Sequence, residues 1–188
     1  SVKTTGAGNA GNISIETPSL TTDKIEITAS TEAEGTGGAI TAKTDTLSLD
    51  NNSQLTVKAD SSSSGNAGDI NIETGSLTVD NGAQISAQTE GTGKGGNVNI
   101  TTRSVTAQNE ARISASTSGK GNAGNIDIRA TELEVKDNAK ISARTIRTGE
   151  GGNIIINTPD TLNITGNGEI TVAVSYTHLR AHETQFDL

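Results

Sequence analysis

Two histidines, His178 and His182, stand four residues apart near the end of the chain. On a helix that spacing places both imidazoles on one face, where they could share a metal ion or relay a proton. They fall in residues 175–188, SYTHLRAHETQFDL, together with the only Tyr (Tyr176) and the only Phe (Phe186). The first 174 residues contain none of these three residue types. The change of residue alphabet is abrupt, and a disordered or artefactual end accounts for the pair without chemistry.

Four further sets of residues have types suited to chemistry. Gly93-Lys94-Gly95-Gly96 has the composition of a phosphate-binding loop. Such a loop needs Gly-Lys-Ser/Thr at the start of a helix that follows a strand. Here no helical pattern follows, and the same corner returns six times. Asp69 after Gly68, and Asp80-Asn81-Gly82, offer oxygen ligands of the kind calcium takes. Calcium-binding β-rolls use a nonapeptide Gly-Gly-x-Gly-x-Asp repeat, a period absent here. Thr28, Thr56, Ser86, Ser114, Ser142 and Thr171 recur in one register and could order water on a flat face. Their neighbours Ser30, Lys58, Gln88, Ser116 and Arg144 are irregular and partly charged, as on an ordinary solvated surface. The carboxylates Asp23, Asp45, Asp50, Glu73, Glu90, Glu132 and Glu134 fall in different registers, and no acid–base dyad emerges from them. The sequence therefore assigns no catalytic, cofactor-binding or metal-ligating residue.

What must position these groups is a repeat. Six copies align on Ile13, Ile40, Ile70, Val98, Ile126 and Ile154, at spacings of 27, 30, 28, 28 and 28 residues. Five positions before each anchor stand Gly8, Gly35, Gly65, Gly93, Gly121 and Gly149. Two positions before it stand Gly11, Gly38, Gly68, Gly96, Gly124 and Gly152. A position that is Gly in every copy needs either positive φ or close backbone approach. After each corner the apolar period is two, the signature of a strand. The pairs are Ile13/Ile15, Ile40/Ala42, Ile70/Ile72, Val98/Ile100, Ile126/Ile128 and Ile154/Ile156. A second strand carries Leu47/Leu49, Leu77/Val79, Val105/Ala107, Leu133/Val135 and Leu162/Ile164, with Leu20 and Thr22 in the weaker first copy. A third carries Ile27/Ala29, Leu55/Val57, Ile85/Ala87, Ile113/Ala115, Ile141/Ala143 and Ile170/Val172.

Three short strands per ~28 residues in matching columns predict an all-β parallel β-helix of about six coils, with coils about 4.8 Å apart. The predicted division is 1–174 as repeat and 175–188 as non-repeat tail. Thr17, Thr44, Thr74, Thr102, Ala130 and Thr158 share the inward parity and are expected to close the first strand, bonding along the stack. Pro18 and Pro159, the only prolines, are expected in one corner of two different coils.

Composition agrees with a thin, repeated core. Of 188 residues 30% are apolar and 1% aromatic, and the formal net charge is −8. The acidic balance argues against a nucleic-acid partner, which needs a basic stripe. There is no Cys, hence no disulfide framework and no thiolate chemistry. No apolar run approaches eighteen residues, so no transmembrane helix is expected. Neither a signal peptide nor a polar cap is visible, which reads as a segment of a longer protein.

Gly-Asn-Ala-Gly-Asn-Ile-x-Ile, Ser-Leu-Thr-Val and Asn-Gly-Ala-Gln-Ile-Ser-Ala together resemble the repeats of filamentous-haemagglutinin-like exoproteins of bacteria, especially the cyanobacterial type. The resemblance spans residues 1–174. It implies a right-handed parallel β-helix in the passenger of a two-partner secretion system. Such a passenger crosses the outer membrane through a dedicated transporter and acts as a surface adhesin for a host-cell, surface or glycan receptor. The implied chain is secreted or cell-surface, has no cofactor and is no enzyme. SYTHLRAHET in the tail resembles translated sequencing-adapter read-through, which implies that the tail is not biological sequence. Two other readings compete: a carbohydrate-active β-helix of the polysaccharide-lyase or tailspike kind, and an ice-binding solenoid. The near-constant repeat length, with one two-residue excess around residues 60–64, and the lack of an aromatic platform weigh against the first.

Overall fold

The computed structural model describes residues 1–6, 8–32, 34–60 and 64–174. The readings placed on His178, His182, Tyr176 and Phe186, and on Ser61, Ser62 and Ser63, lie outside the described residues.

Fifteen strands and no helix make up what is described. They are β1 (Val2–Thr4), β2 (Ile13–Glu16), β3 (Ser19–Asp23), β4 (Glu26–Thr31), β5 (Ile40–Asp50), β6 (Gln54–Ala59), β7 (Ile70–Val79), β8 (Gln84–Thr89), β9 (Val98–Ala107), β10 (Arg112–Thr117), β11 (Ile126–Val135), β12 (Lys140–Thr145), β13 (Ile154–Asn157), β14 (Thr161–Ile164) and β15 (Glu169–Val174). All pair in parallel, each with its counterparts one turn of the chain away. One sheet runs β1-β4-β6-β8-β10-β12-β15. The other runs β13-β11-β9-β7-β5-β2, with β14 on β11 and β3 on β5. The chain is thus a β-solenoid of about six turns.

The register follows the sequence columns residue for residue. Ile13, Ile40, Ile70, Val98, Ile126 and Ile154 stack in turn. So do Ile27, Leu55, Ile85, Ile113, Ile141 and Ile170. A shift of one residue would turn every aliphatic side chain outward, so the pattern itself fixes the register. The lumen is filled by these ladders: Ile40, Leu47, Leu55, Ile70, Leu77, Ile85, Ile113, Ile126 and Leu133 are all no more than 1% exposed. Ile155, the one apolar residue at an outward position of its strand, is correspondingly 54% exposed.

Three features differ from the sequence expectation. First, the first and second strands of a copy run together in the interior coils, giving β5, β7, β9 and β11 of ten or eleven residues. They stay separate only in the first and sixth copies, as β2/β3 and β13/β14. Those are the copies with Pro18 and Pro159, where Asp45, Gly75, Arg103 and Thr131 stand in the others. Proline lacks the N–H a continuous ladder requires. The Pro18 carbonyl still accepts bonds from the Asp45 and Thr46 amides, at 2.9 and 3.0 Å. Second, β1 pairs with β4, Val2 lying against Ala29 and Thr4 against Thr31. Residues 2–4 therefore belong to the third strand of a turn before the first aligned copy. Third, the Thr column at the corner bonds mostly across its own bend. Thr17, Thr74 and Thr102 donate to the carbonyls of Ser19, Ser76 and Ser104 at 3.2, 3.0 and 3.1 Å, and one bond, Thr44 to Thr74 at 2.8 Å, runs along the stack.

Candidate functional site

The Gly-rich corner is a stacking joint. None of its twelve column glycines has positive φ. A Cβ added to Gly38, Gly68, Gly96, Gly124 or Gly152 would run into the carbonyl oxygen of the column glycine one coil below, far inside contact distance. Of the two reasons the sequence leaves open, close approach is the operative one.

The corner's polar groups are used inside the stack. Lys94, the lysine of the phosphate-loop-like run, donates its N–H to Asn66 Oδ1 at 2.8 Å, and Gly95 donates to the Asn122 carbonyl at 2.8 Å. Donors committed in this way are not free to cradle a phosphate. Just before each anchor, an amide ladder climbs the rod. Asn12 Oδ1 accepts from the Ala39 N–H, Asp69 from Asn97, Asn97 from Asn125 and Asn125 from Asn153, at 2.7–2.9 Å. The signal for this ladder was the recurrent Asn or Asp one residue before the anchor, broken only by Ala39.

A two-coil period also governs the corner. Odd copies read Gly-Asn-Ala-Gly and even copies Gly-x-Gly-Gly. Asn9, Asn66 and Asn122 each accept from the backbone N–H one coil on, at Thr36, Lys94 and Glu150, at 2.9, 2.8 and 3.0 Å. A Cβ at Gly37 or Gly95 would meet the amide nitrogen of Gly68 or Gly124. A third device is a buried threonine column. Thr31, Thr89, Thr117 and Thr145 are fully buried, and Thr89 and Thr145 donate to the carbonyls of Lys94 and Glu150 at 2.9 and 2.7 Å. Ala59 replaces the threonine in the copy with the two-residue excess.

The turn between second and third strands carries the other candidate ligands. Asn51/Asn52, Asn109/Glu110 and Asp137/Asn138 adopt positive φ in pairs, as do Asn81 and Gly82. Asn and Gly enter that region most easily. Asp23 and Asp50 lie in register, contrary to their reading as scattered. Asn51, Asn81 and Asn109 donate from Nδ2 to Asp23, Asp50 and Asp80 of the coil below, at 2.9, 2.8 and 2.8 Å. Asp80 also accepts from the Asn81 N–H and from Gln108 Nε2, both at 2.7 Å. Burial would raise the Asp80 carboxyl, but these bonds and the Lys136 charge together hold it below its ordinary value. At the calcium-like positions, Asp69 Oδ1 and both oxygens of Asp80 thus accept from amides of the next coil. Among the described residues no three His, Cys, Asp or Glu side chains converge as metal ligands.

Lys58 links two coils, reaching Asp60 at 2.7 Å and Glu90 at 3.0 Å. Its pKa is raised chiefly by the hydrogen bond to Asp60, against the opposing effect of burial. The surface has open grooves of 320–510 Å³, among them one along Asn52, Asn81, Asn109 and Asn138. The outward hydroxyl column of the third strand is partly covered: Thr56 and Ser86 are buried, and Thr28, Ser114, Ser142 and Thr171 are half-buried. The second strand presents a cleaner array that the sequence reading passed over. Ser19/Thr21, Thr46/Ser48, Ser76/Thr78 and Ser104/Thr106 stack in register, until Glu132 and Glu134 interrupt them.

No family model, no curated protein and no solved structure matches this chain. No helix among the described residues is long and apolar enough to cross a membrane.

Proposed function

We propose that this chain is a rod segment of a filamentous-haemagglutinin-like adhesin, a structural and adhesive part of a secreted bacterial surface exoprotein, without catalysis of its own. One observation carries the reading: the parallel ladder runs in register from Val2 to Val174, with an aliphatic lumen and mainly polar outward columns. Such a stack suits length and multivalent display, since each coil repeats the same outward positions every ~4.8 Å. A passenger of this kind leaves the cell through an outer-membrane transporter and folds coil on coil outside, and its surface meets a host-cell, surface or glycan receptor. The unbroken stacking, the absence of Cys and the commitment of corner donors to the stack all favour scaffold over enzyme. The test is to coat a surface with the purified chain. Retention of cells or polysaccharide with no reducing or unsaturated sugar ends released over hours is expected. Steady release of such ends would overturn the reading in favour of a carbohydrate-active β-helix.

A second reading rests on the eight hydroxyls of Ser19, Thr21, Thr46, Ser48, Ser76, Thr78, Ser104 and Thr106. They repeat about 4.8 Å along the rod and about 7 Å along the strand, a two-dimensional array suited to ordered water. Thermal hysteresis in a purified solution decides it, and freezing indistinguishable from buffer removes it.

A further inference from the structure

A rod of near-identical coils is open to one error that an irregular fold escapes. A coil can loop out while its two neighbours close over the gap. The lumen does not prevent this. Ile70, Leu77 and Ile85 of the third copy have Ile126, Leu133 and Ile141 as their counterparts in the fifth, and the inward residue two positions after each is identical as well. The looped-out connection costs little more than a short one, because loop entropy grows only with the logarithm of length. The feature that alternates strictly from coil to coil is the glycine corner. Above the first, third and fifth copies the joint is a side-chain clamp: the Oδ1 atoms of Asn9, Asn66 and Asn122 accept the N–H of Thr36, Lys94 and Glu150. Above the second and fourth copies the joint is a close backbone approach. A Cβ at Gly37 would lie 2.9 Å from the Gly68 amide nitrogen, and one at Gly95 would lie 2.6 Å from that of Gly124. The same column carries Ala10, Ala67 and Ala123 in the odd copies, where alanine sits beneath a Gly-x-Gly-Gly coil.

We infer that this alternation is a register lock, a conformational device that makes the pair of coils, and not the single coil, the unit of the rod. Looping out a Gly-x-Gly-Gly coil sets one Gly-Asn-Ala-Gly coil directly on another. The alanine methyl of the lower coil then meets the backbone amide of the upper one, as a Cβ at Gly95 would, and backbone cannot rotate out of the way. Looping out a Gly-Asn-Ala-Gly coil sets two Gly-x-Gly-Gly coils together, and the asparagine oxygen that takes the upper N–H is lost. A slip by one coil therefore spoils a joint in either case. A slip by two coils restores the joints but strands twice as much chain outside the lumen. The device acts against the nearest competing arrangement, which the identical inward columns leave open. It goes beyond the adhesive reading and holds for the rod whatever its surface binds.

The experiment builds the slipped joint and melts it, with circular dichroism as the readout. Removing residues 93–120, the fourth copy, joins the third copy to the fifth and sets Ala67 beneath Gly124. The lumen stays matched, and Asn66 still has an N–H to accept, that of Asn122. Ala67→Gly is expected to raise the melting temperature of this shortened chain by at least about 3 °C, because it removes the collision. In the intact chain the same substitution is expected to lower it by about 1–4 °C, because glycine loosens a position that alanine fits. Opposite signs are the mark of the lock. The same sign in both chains, or no change in the shortened one, would overturn it. Removing residues 93–148 takes out two copies and sets Glu150 over Asn66, which restores the clamp, so that chain is expected to melt cooperatively. If the one-copy deletion does not fold, Ala67→Gly is expected to restore its fold, and failure to do so while the two-copy deletion folds overturns the inference. If no shortened chain folds, the intact chain decides. Gly95→Ala, which places a methyl beneath Gly124 with nothing removed, is expected to lower the melting temperature at least about twice as far as Ala67→Gly, and equal shifts overturn the lock.

Discussion

The α-carbon of Gly96 faces the carbonyl oxygen of Gly68 in the coil below, in the place where any other residue would carry its Cβ. The contact left to the glycine hydrogen is a weak Cα–H···O interaction of the kind that recurs between strands. Its larger effect is permissive, because it lets two corners approach to the strand spacing that the flanking ladders require.

Gly96→Ala is therefore expected to destabilise the rod by about 3 kcal/mol or more, since the obstacle is backbone with no room to rotate away. In a chain of this size that lowers the melting temperature by roughly 6–12 °C. Gly6→Ala is the control, because nothing lies within 4 Å of a Cβ placed there. Thermal denaturation of the two variants checks the contrast, and equal melting temperatures would contradict the stacking-joint account.

Thr89→Val keeps the shape of a fully buried side chain but deletes the hydroxyl that donates to the Lys94 carbonyl. The expected cost is about 1 kcal/mol. Hydrogen exchange should quicken around residues 89–95, because the corner loses its internal tie. An unchanged exchange pattern there would remove the buried threonines as corner braces.

Asn81 combines a positive φ with a side-chain bond to Asp50. Asn81→Ala is expected to cost about 1–2 kcal/mol, because alanine resists that backbone region. Asn81→Gly should recover the backbone share and leave only the lost bond. A double-mutant cycle with Asp50→Ala is expected to return a coupling of about 0.5–1 kcal/mol.

The pH dependence has two limbs of opposite sign. The Asp80 carboxyl is held low in the folded rod, so its contribution is present above the ordinary carboxylate value and is lost as pH falls through the depressed one. Melting temperature should decline below about pH 5, and Asp80→Asn should show a shallower decline. Lys58 is held high, so its contribution is present below the ordinary lysine value and is lost as pH rises through the raised one. Lys58→Gln should flatten that alkaline limb. Both groups are partly exposed, and added salt should reduce both effects.

How much of the rod was legible follows from which positions carry a period. Ile13, Leu20, Ile27 and their counterparts were found because a half-buried strand alternates every two residues and the whole unit returns every ~28. The parity of each column then fixed what faces the lumen. Pro18 and Pro159 were placed in their corner for the same reason, but their effect on strand continuity was not, because it depends on what the other four copies do at that bend. The Asn12–Asn125 ladder, the Asn9/Asn66/Asn122 alternation and the buried Thr31–Thr145 column escaped, although their letters were in plain view. A polar residue beside glycine reads as loop until the next coil supplies its partner.

The sequence alone thus determined the repeat, the inward columns and the register, since hydrophobic burial is local in parity and tolerates only one choice. The tertiary structure alone decided why the corner glycines are glycine and where each Asn and Thr sends its hydrogen bond. The glycine contacts and the Asn bonds between coils are relations between residues 27 to 31 positions apart in the chain but one strand apart in space. Their geometry is set by the height of a coil, a quantity that no stretch of letters contains.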